Sequence, residues 1–261
     1  MGSCDEVFRR RPNPLILSGL AIVAVIVVAA VSGVSLHRVF AHFRPEWIIV
    51  VAIAEAVSFL PYARIQVAGL IALEWAVLAP VACLSAIGLL IAGANVMGSL
   101  LWPWALCVPA GFALGLWLTA PGRSLSLLRR FGLLAGVLDG VGMLHRLIRA
   151  PGRTSPAWLS MTLYWAAEIV ALYAALRMFG VDLSPARVVL AYGTGYVVTR
   201  RSLPLAGAAI TEVLLTFALH WVGVPLGAAL AAVVTYRLFN LVLVSVPSLL
   251  ANRLLRASLA R

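Results

Sequence analysis

Five charged side chains interrupt long apolar stretches of this 261-residue chain: Glu55, Glu74, Glu168, Glu212 and Arg237. A charge inside hydrocarbon is costly, so such residues face a bundle interior or a wet cavity and find a partner there. The chemistry open to them is anion capture by a guanidinium and proton exchange at a carboxyl. Glu212 and Arg237 flank the turn Gly223-Val224-Pro225, Glu212 eleven residues before it and Arg237 twelve after. In an antiparallel pair of straight helices they lie at similar depth. Two readings stand: a structural clamp, or an anionic-headgroup site in which Glu212 holds Arg237 until the ligand arrives. In the second, Tyr236 donates a hydrogen bond at the interface.

Glu55 and Glu168 lie one to three turns into their helices. A static interhelical hydrogen bond and a transport relay with Glu212 are both open for them. Glu74 lies near a helix end and pairs with Arg64 in the simplest reading. The segment before Glu212 adds Arg200-Arg201-Ser202-Leu203-Pro204 and then Gly207. A short helix interrupted by Pro204 and Gly207 offers free backbone N–H groups and a positive dipole end to an anion. Alternatively, Arg200 and Arg201 mark the cytoplasmic boundary of a span. No phosphate-binding glycine loop is present. His37, His42, His145 and His220 are scattered, and Cys4, Cys83 and Cys107 lack metal-ligand or disulfide spacing, so neither a metal nor another cofactor is expected.

The elements that position these residues follow from composition. Hydrophobic residues make up 63% and charged residues 11% of the chain, and its mean hydropathy is +1.03. A soluble domain is usually about half apolar and a quarter charged, so lipid must solvate most of this surface. The net charge of +11 is spread between apolar runs. That excludes a nucleic-acid face and suits cytoplasmic loops and anionic headgroups.

A spanning helix needs about twenty apolar residues. The runs that qualify are Pro14–Val34, Trp47–Gln66, Leu70–Ala92, Leu100–Leu118, Trp158–Leu176 and Leu226–Leu250. The first is long and lacks a small-residue cleavage site, so it reads as an anchor. Ala186–Val198 is short for a crossing, and Leu205–Val222 follows the Arg200–Pro204 break. The expected fold is all-α, a polytopic transmembrane helix bundle of about eight spans with a broken or re-entrant helix near residues 199–212. All twenty basic residues are Arg. With the N-terminus inside, fifteen of them lie on the inner side and four on the outer, with Arg237 inside a span. This places both termini in the cytoplasm of an inner-membrane protein.

The chain reads as one membrane domain over 1–261. A basic stretch, Thr119–Ala157, joins its halves and carries Leu127, Phe131, Leu134, Leu138 and Val141 at spacings of four and three. That stripe fits an interfacial amphipathic helix or one packed under the bundle.

Leu203-Pro204-Leu205-Ala206-Gly207-Ala208-Ala209-Ile210-Thr211-Glu212, then Gly223-Val224-Pro225, then an Ala-rich stretch and Tyr236-Arg237-Leu238 follow in order. This resembles the lysylphosphatidylglycerol synthase transmembrane, or flippase-like, family over roughly Trp158–Leu250. Phe43–Gln66, with Tyr62-Ala63-Arg64, looks like that family's early region. Ala206 and Ala209 stand where the family usually has Gly, and its Pro-Gly-Gly turn after the second helix is missing, so the chain resembles a shortened, divergent member. No aminoacyl-transferase domain is expected after the last span. The resemblance therefore implies translocation of an anionic, aminoacylated or prenyl-linked lipid by a non-enzyme. Alternatives are a scaffold for a lipid-modifying enzyme or glycosyltransferase, and a small-solute or proton-coupled transporter. Partners implied are membrane lipids with anionic headgroups, with a homo-oligomer or an enzyme partner as further options.

Overall fold

The computed structural model describes residues 41–62, 70–119, 140–144, 147, 149, 151–196 and 207–240. All regular structure among them is helical. In chain order the helices are α1 (Trp47–Tyr62), α2 (Leu70–Ile91), α3 (Gly98–Leu118), α4 (Pro151–Met178), α5 (Pro185–Tyr196), α6 (Gly207–Trp221) and α7 (Leu226–Asn240). Within α2, α3 and α4 the stretches Leu73–Ile91, Gly98–Leu118 and Thr154–Met178 are long and apolar enough to cross a bilayer. Trp47–Ser58 and Leu226–Asn240 are shorter apolar helices. The expected anchor Pro14–Val34 and the amphipathic positions Leu127 to Leu138 lie outside the described residues.

Why these residues make these helices is local. Leu, Ala, Val and Ile dominate, so the backbone must satisfy itself within each segment. Glycines end three of them. Gly93, Gly180 and Gly223 have φ of +61°, +73° and +105°, in the left-handed region that only glycine enters cheaply. Behind Gly180, the Val181 N–H donates to the Leu176 carbonyl, and behind Gly223 the Val224 N–H donates to the Leu219 carbonyl. These bonds close the last turns in the Schellman manner. Proline opens α5 at Pro185, where its missing N–H costs nothing. Pro103 and Pro109 within α3 remove two ladder donors. There the helix widens to a π turn over Pro103–Cys107, with the Val108 N–H reaching back to the Pro103 carbonyl.

Two helix starts lie two or more residues before those read in the sequence. The fifth span reads from Trp158 in the sequence, yet α4 already covers Pro151. Its first turn is polar, and Thr154 Oγ1 donates to the Leu147 carbonyl. Hydropathy finds the apolar part of a helix and misses a polar first turn. The fourth apolar run likewise begins two residues early, at Gly98.

Helix α1 packs along α4, and α5 sits between α2 and α6. Two close approaches fix this. A Cβ on Gly195 would lie 2.9 Å from Leu215 Cα, so α5 and α6 meet backbone to backbone only because residue 195 has no side chain. The Trp104 Nε1–H donates to Thr194 Oγ1 over 2.9 Å, tying α3 to α5. The core runs from Val51 and Ala82 through Leu172, Leu176, Leu190 and Leu215 to Val233. Outward-facing Ile49, Ile53, Leu84, Trp102, Leu114 and Leu159 are exposed. So wide an apolar exterior suits lipid and not water: the chain is an integral membrane protein.

Candidate functional site

One end of the bundle gathers the starts of α1, α5 and α7 and the ends of α4 and α6. The Arg44 N–H donates to the Met178 carbonyl over 2.7 Å, and the Phe43 and Phe179 rings lie 5.8 Å apart. Arg187 Nη1 donates to the Val222 carbonyl over 3.4 Å. Arg177 pairs with Asp182 at 2.6 Å. From this end the charged residues are reached by counting turns. Glu212 precedes the end of α6 by about nine residues, Glu168 precedes the end of α4 by about ten, and Arg237 follows the start of α7 by about eleven. At about 1.5 Å per residue all three lie about 14–17 Å deep, which is about half the hydrocarbon thickness of a bilayer.

At that depth the polar side chains form one network. Arg237 Nε lies 2.8 Å from Glu212 Oε1, an ion pair across the α6–α7 hairpin. The Arg237 guanidinium carbon sits 5.5 Å from the Tyr196 ring centre and 5.3 Å from that of Tyr236, within cation–π range. The Arg237 side chain keeps 21% exposure. Among the described residues, Arg237 engages Glu212 and these two rings. Glu212 Oε2 has no hydrogen-bond partner there.

At the same depth, on the side of α4 and α5, the tyrosine hydroxyls meet. The Tyr236 hydroxyl donates to Glu168 Oε2. Tyr192 donates to the same oxygen over 3.1 Å. The Tyr196 and Tyr236 hydroxyls lie 3.1 Å apart, and those of Tyr192 and Tyr236 3.3 Å apart. The Tyr192 and Tyr196 rings stack at 4.5 Å, with the Trp165 ring edge-on to both. Asn240 Nδ2 then bridges two carboxyls. It donates to Glu55 Oε2 over 3.0 Å and to Glu168 Oε1 over 3.4 Å. Glu55 is fully buried, and its Oε1 has no hydrogen-bond partner among the described residues.

The sequence-read residues are therefore distributed as follows. Glu212, Arg237, Tyr236, Glu168 and Glu55 come together in one network. Gly207 opens α6. Arg200, Arg201 and Pro204 lie outside the described residues, as does Arg64, the expected partner of Glu74. Helix α5 is described over Pro185–Tyr196, and the break expected near residues 199–206 lies outside the described residues.

Tyr236 lies elsewhere than the sequence suggests. Tyr236 reads in the sequence as a hydrogen-bond donor to a ligand at the interface, but it is 0% exposed. Its hydroxyl is spent on Glu168 because its ring projects from α7 toward α4 and α5, while neighbouring Arg237 projects toward α6. Sequence reasoning also missed Asn240, Tyr192 and Tyr196. Helical spacing carried the signal. Asn240 falls four residues after Tyr236, and Tyr192 four before Tyr196, which stacks each pair on one face.

A family model described as the lysylphosphatidylglycerol synthase TM region matches residues 76–248. The chain belongs to the lysylphosphatidylglycerol synthase transmembrane family. The match spans every network residue except Glu55, from α2 through α7. No curated protein and no solved structure matches the chain. Among the described residues, no group of three or more His, Cys, Asp or Glu side chains is placed to hold a metal ion. What this family member holds in one network is a guanidinium paired with a carboxyl and a tyrosine-lined carboxyl pair.

Proposed function

We propose that this chain moves a lipid with an anionic headgroup between the leaflets of the cytoplasmic membrane, with both termini on the cytoplasmic side. It acts as a translocase and forms no covalent intermediate. The observation that carries this reading is the Glu212–Arg237 pair. A guanidinium at mid-depth, partly exposed and, among the described residues, ion-paired only with Glu212 through Nε, has donors to spare for a phosphate or a carboxylate.

Glu212 has two roles in this reading. It compensates Arg237 while the site is empty, since an unpaired cation there costs several kcal/mol. It then gives way to the headgroup, which offers the same charge with better hydrogen-bond geometry. The two tyrosine rings keep the guanidinium plane oriented meanwhile. Arg200 and Arg201 would attract the headgroup from the cytoplasmic leaflet.

A second observation favours a lipid over a small solute. A cavity of about 460 Å³ lies between α2 and α3 and is lined by Ala79, Pro80, Cys83, Pro109, Phe112 and Leu116, among others. It is almost wholly apolar and accepts hydrocarbon, as an acyl or prenyl chain would require.

Mass spectrometry of lipids retained by the detergent-purified protein tests the reading, with Arg237→Gln alongside. One anionic lipid class enriched with the wild type and absent from the variant is the expected result. Equal retention of bulk lipids by both would remove Arg237 from headgroup binding and the reading with it.

A further inference from the structure

The carboxyl pair at Glu55 and Glu168 is not needed to hold a headgroup, and its charge count is out of balance. Three carboxyls, Glu55, Glu168 and Glu212, share a mid-depth network with one guanidinium, Arg237. Among the described residues, the groups facing Glu55 and Glu168 are each other, Asn240, Tyr192, Tyr196, Tyr236 and Arg237. The facing hydroxyls and amide carry no charge, and the one cation among the described residues there, Arg237, is already paired with Glu212. A single amide, Asn240 Nδ2, serves both carboxyls, and the buried Glu55 Oε1 is left with no hydrogen-bond partner among the described residues. A proton on this pair would remove the excess charge.

We propose that the Asn240-bridged pair Glu55–Glu168 is a proton-binding site coupled to headgroup capture at Arg237, so that one proton travels with each anionic headgroup. This rests on the lipid-moving reading above. The coupling follows from electrostatics at short range. An anion arriving at Arg237 adds negative charge to a network already in deficit of positive charge, which favours proton uptake at the pair. By linkage, a proton on the pair favours the anion equally. The path of communication is short, since Tyr236 and Asn240, which bind Glu168, lie on α7 one residue before and three after Arg237. One proton with one singly charged headgroup is electroneutral, so no net charge crosses the membrane.

The test uses the full chain in phosphatidylcholine vesicles with a trace of fluorescent phosphatidylglycerol, its outer-leaflet share read by dithionite quenching. With equal pH on both sides, the wild type equilibrates the label. With an acidified lumen, the label shifts to the outer leaflet, at most about tenfold in ratio per pH unit for one proton per lipid. An imposed potassium-diffusion potential leaves the wild-type distribution unchanged. Glu55→Gln mimics the protonated form permanently. Its label distribution ignores the pH gradient and responds to the potential. Arg237→Gln moves no label.

A wild type that equilibrates label identically with and without the pH gradient overturns the coupling and leaves lipid movement standing. A wild type that moves no label overturns both. Should Glu55→Gln and Glu168→Gln both fail to elute as single species, the wild-type response to pH and potential decides alone.

Discussion

Arg237 Nε sits 2.8 Å from Glu212 Oε1 across a hairpin whose turn is only Gly223-Val224-Pro225. Each residue supplies what the other lacks in an apolar medium. Removing one partner leaves a buried charge uncompensated, which costs about 3–5 kcal/mol. Glu212→Gln should therefore lower the thermal midpoint in detergent, and adding Arg237→Gln to it should recover part of that loss. Light scattering on heating would measure both. If the two effects simply add, the pair is not energetically coupled.

Tyr236→Phe removes the hydroxyl that Glu168 accepts from and leaves the ring in place. The expected cost is about 1–3 kcal/mol of stability, the desolvation penalty of a carboxylate oxygen short of a donor. Because Tyr236 is fully buried, the class of lipid retained on purification should not change. A changed lipid class would put Tyr236 back at the headgroup.

Gly195→Val places side-chain atoms where Leu215 backbone already lies at 2.9 Å from the added Cβ. Helices α5 and α6 must then separate, at a cost of about 1–3 kcal/mol or more. Monodisperse yield on size-exclusion chromatography should fall. An unchanged thermal midpoint would mean that the two helices do not meet at this point.

Gly223→Ala forces φ of +105° on a residue with a Cβ. The penalty is about 1–2 kcal/mol. It is paid at the turn that sets the depth register of Glu212 against Arg237. Stability should drop while lipid retention persists, because the ion pair lies about 14 Å from the turn. Loss of lipid with no loss of stability would contradict this.

Much of the architecture was legible in the sequence because its cause is local. Hydrocarbon admits only segments that satisfy their own backbone, so apolar length alone announces helices, as at Leu70–Ile91 and Gly98–Leu118. Glycine and proline announce their ends, as at Gly223 and Pro185. The ordered run from Gly207 through Glu212 to Tyr236-Arg237 was enough to indicate the family. Residue counting about a tight turn placed Glu212 and Arg237 at one depth, since an antiparallel hairpin transmits register faithfully.

Which way a side chain points within a bundle is a different matter. Glu55, Glu168, Tyr192 and Asn240 come from α1, α4, α5 and α7, and no spacing along the chain relates them. Only the packing of α1 along α4, and of α5 against α6 at Gly195, closes that network. The same packing turned Tyr236 inward to Glu168, one residue from an Arg237 that faces Glu212. Adjacent residues on a helix point about 100° apart, so composition determined that the chain lives in a membrane, and tertiary packing alone decided which of its polar groups meet.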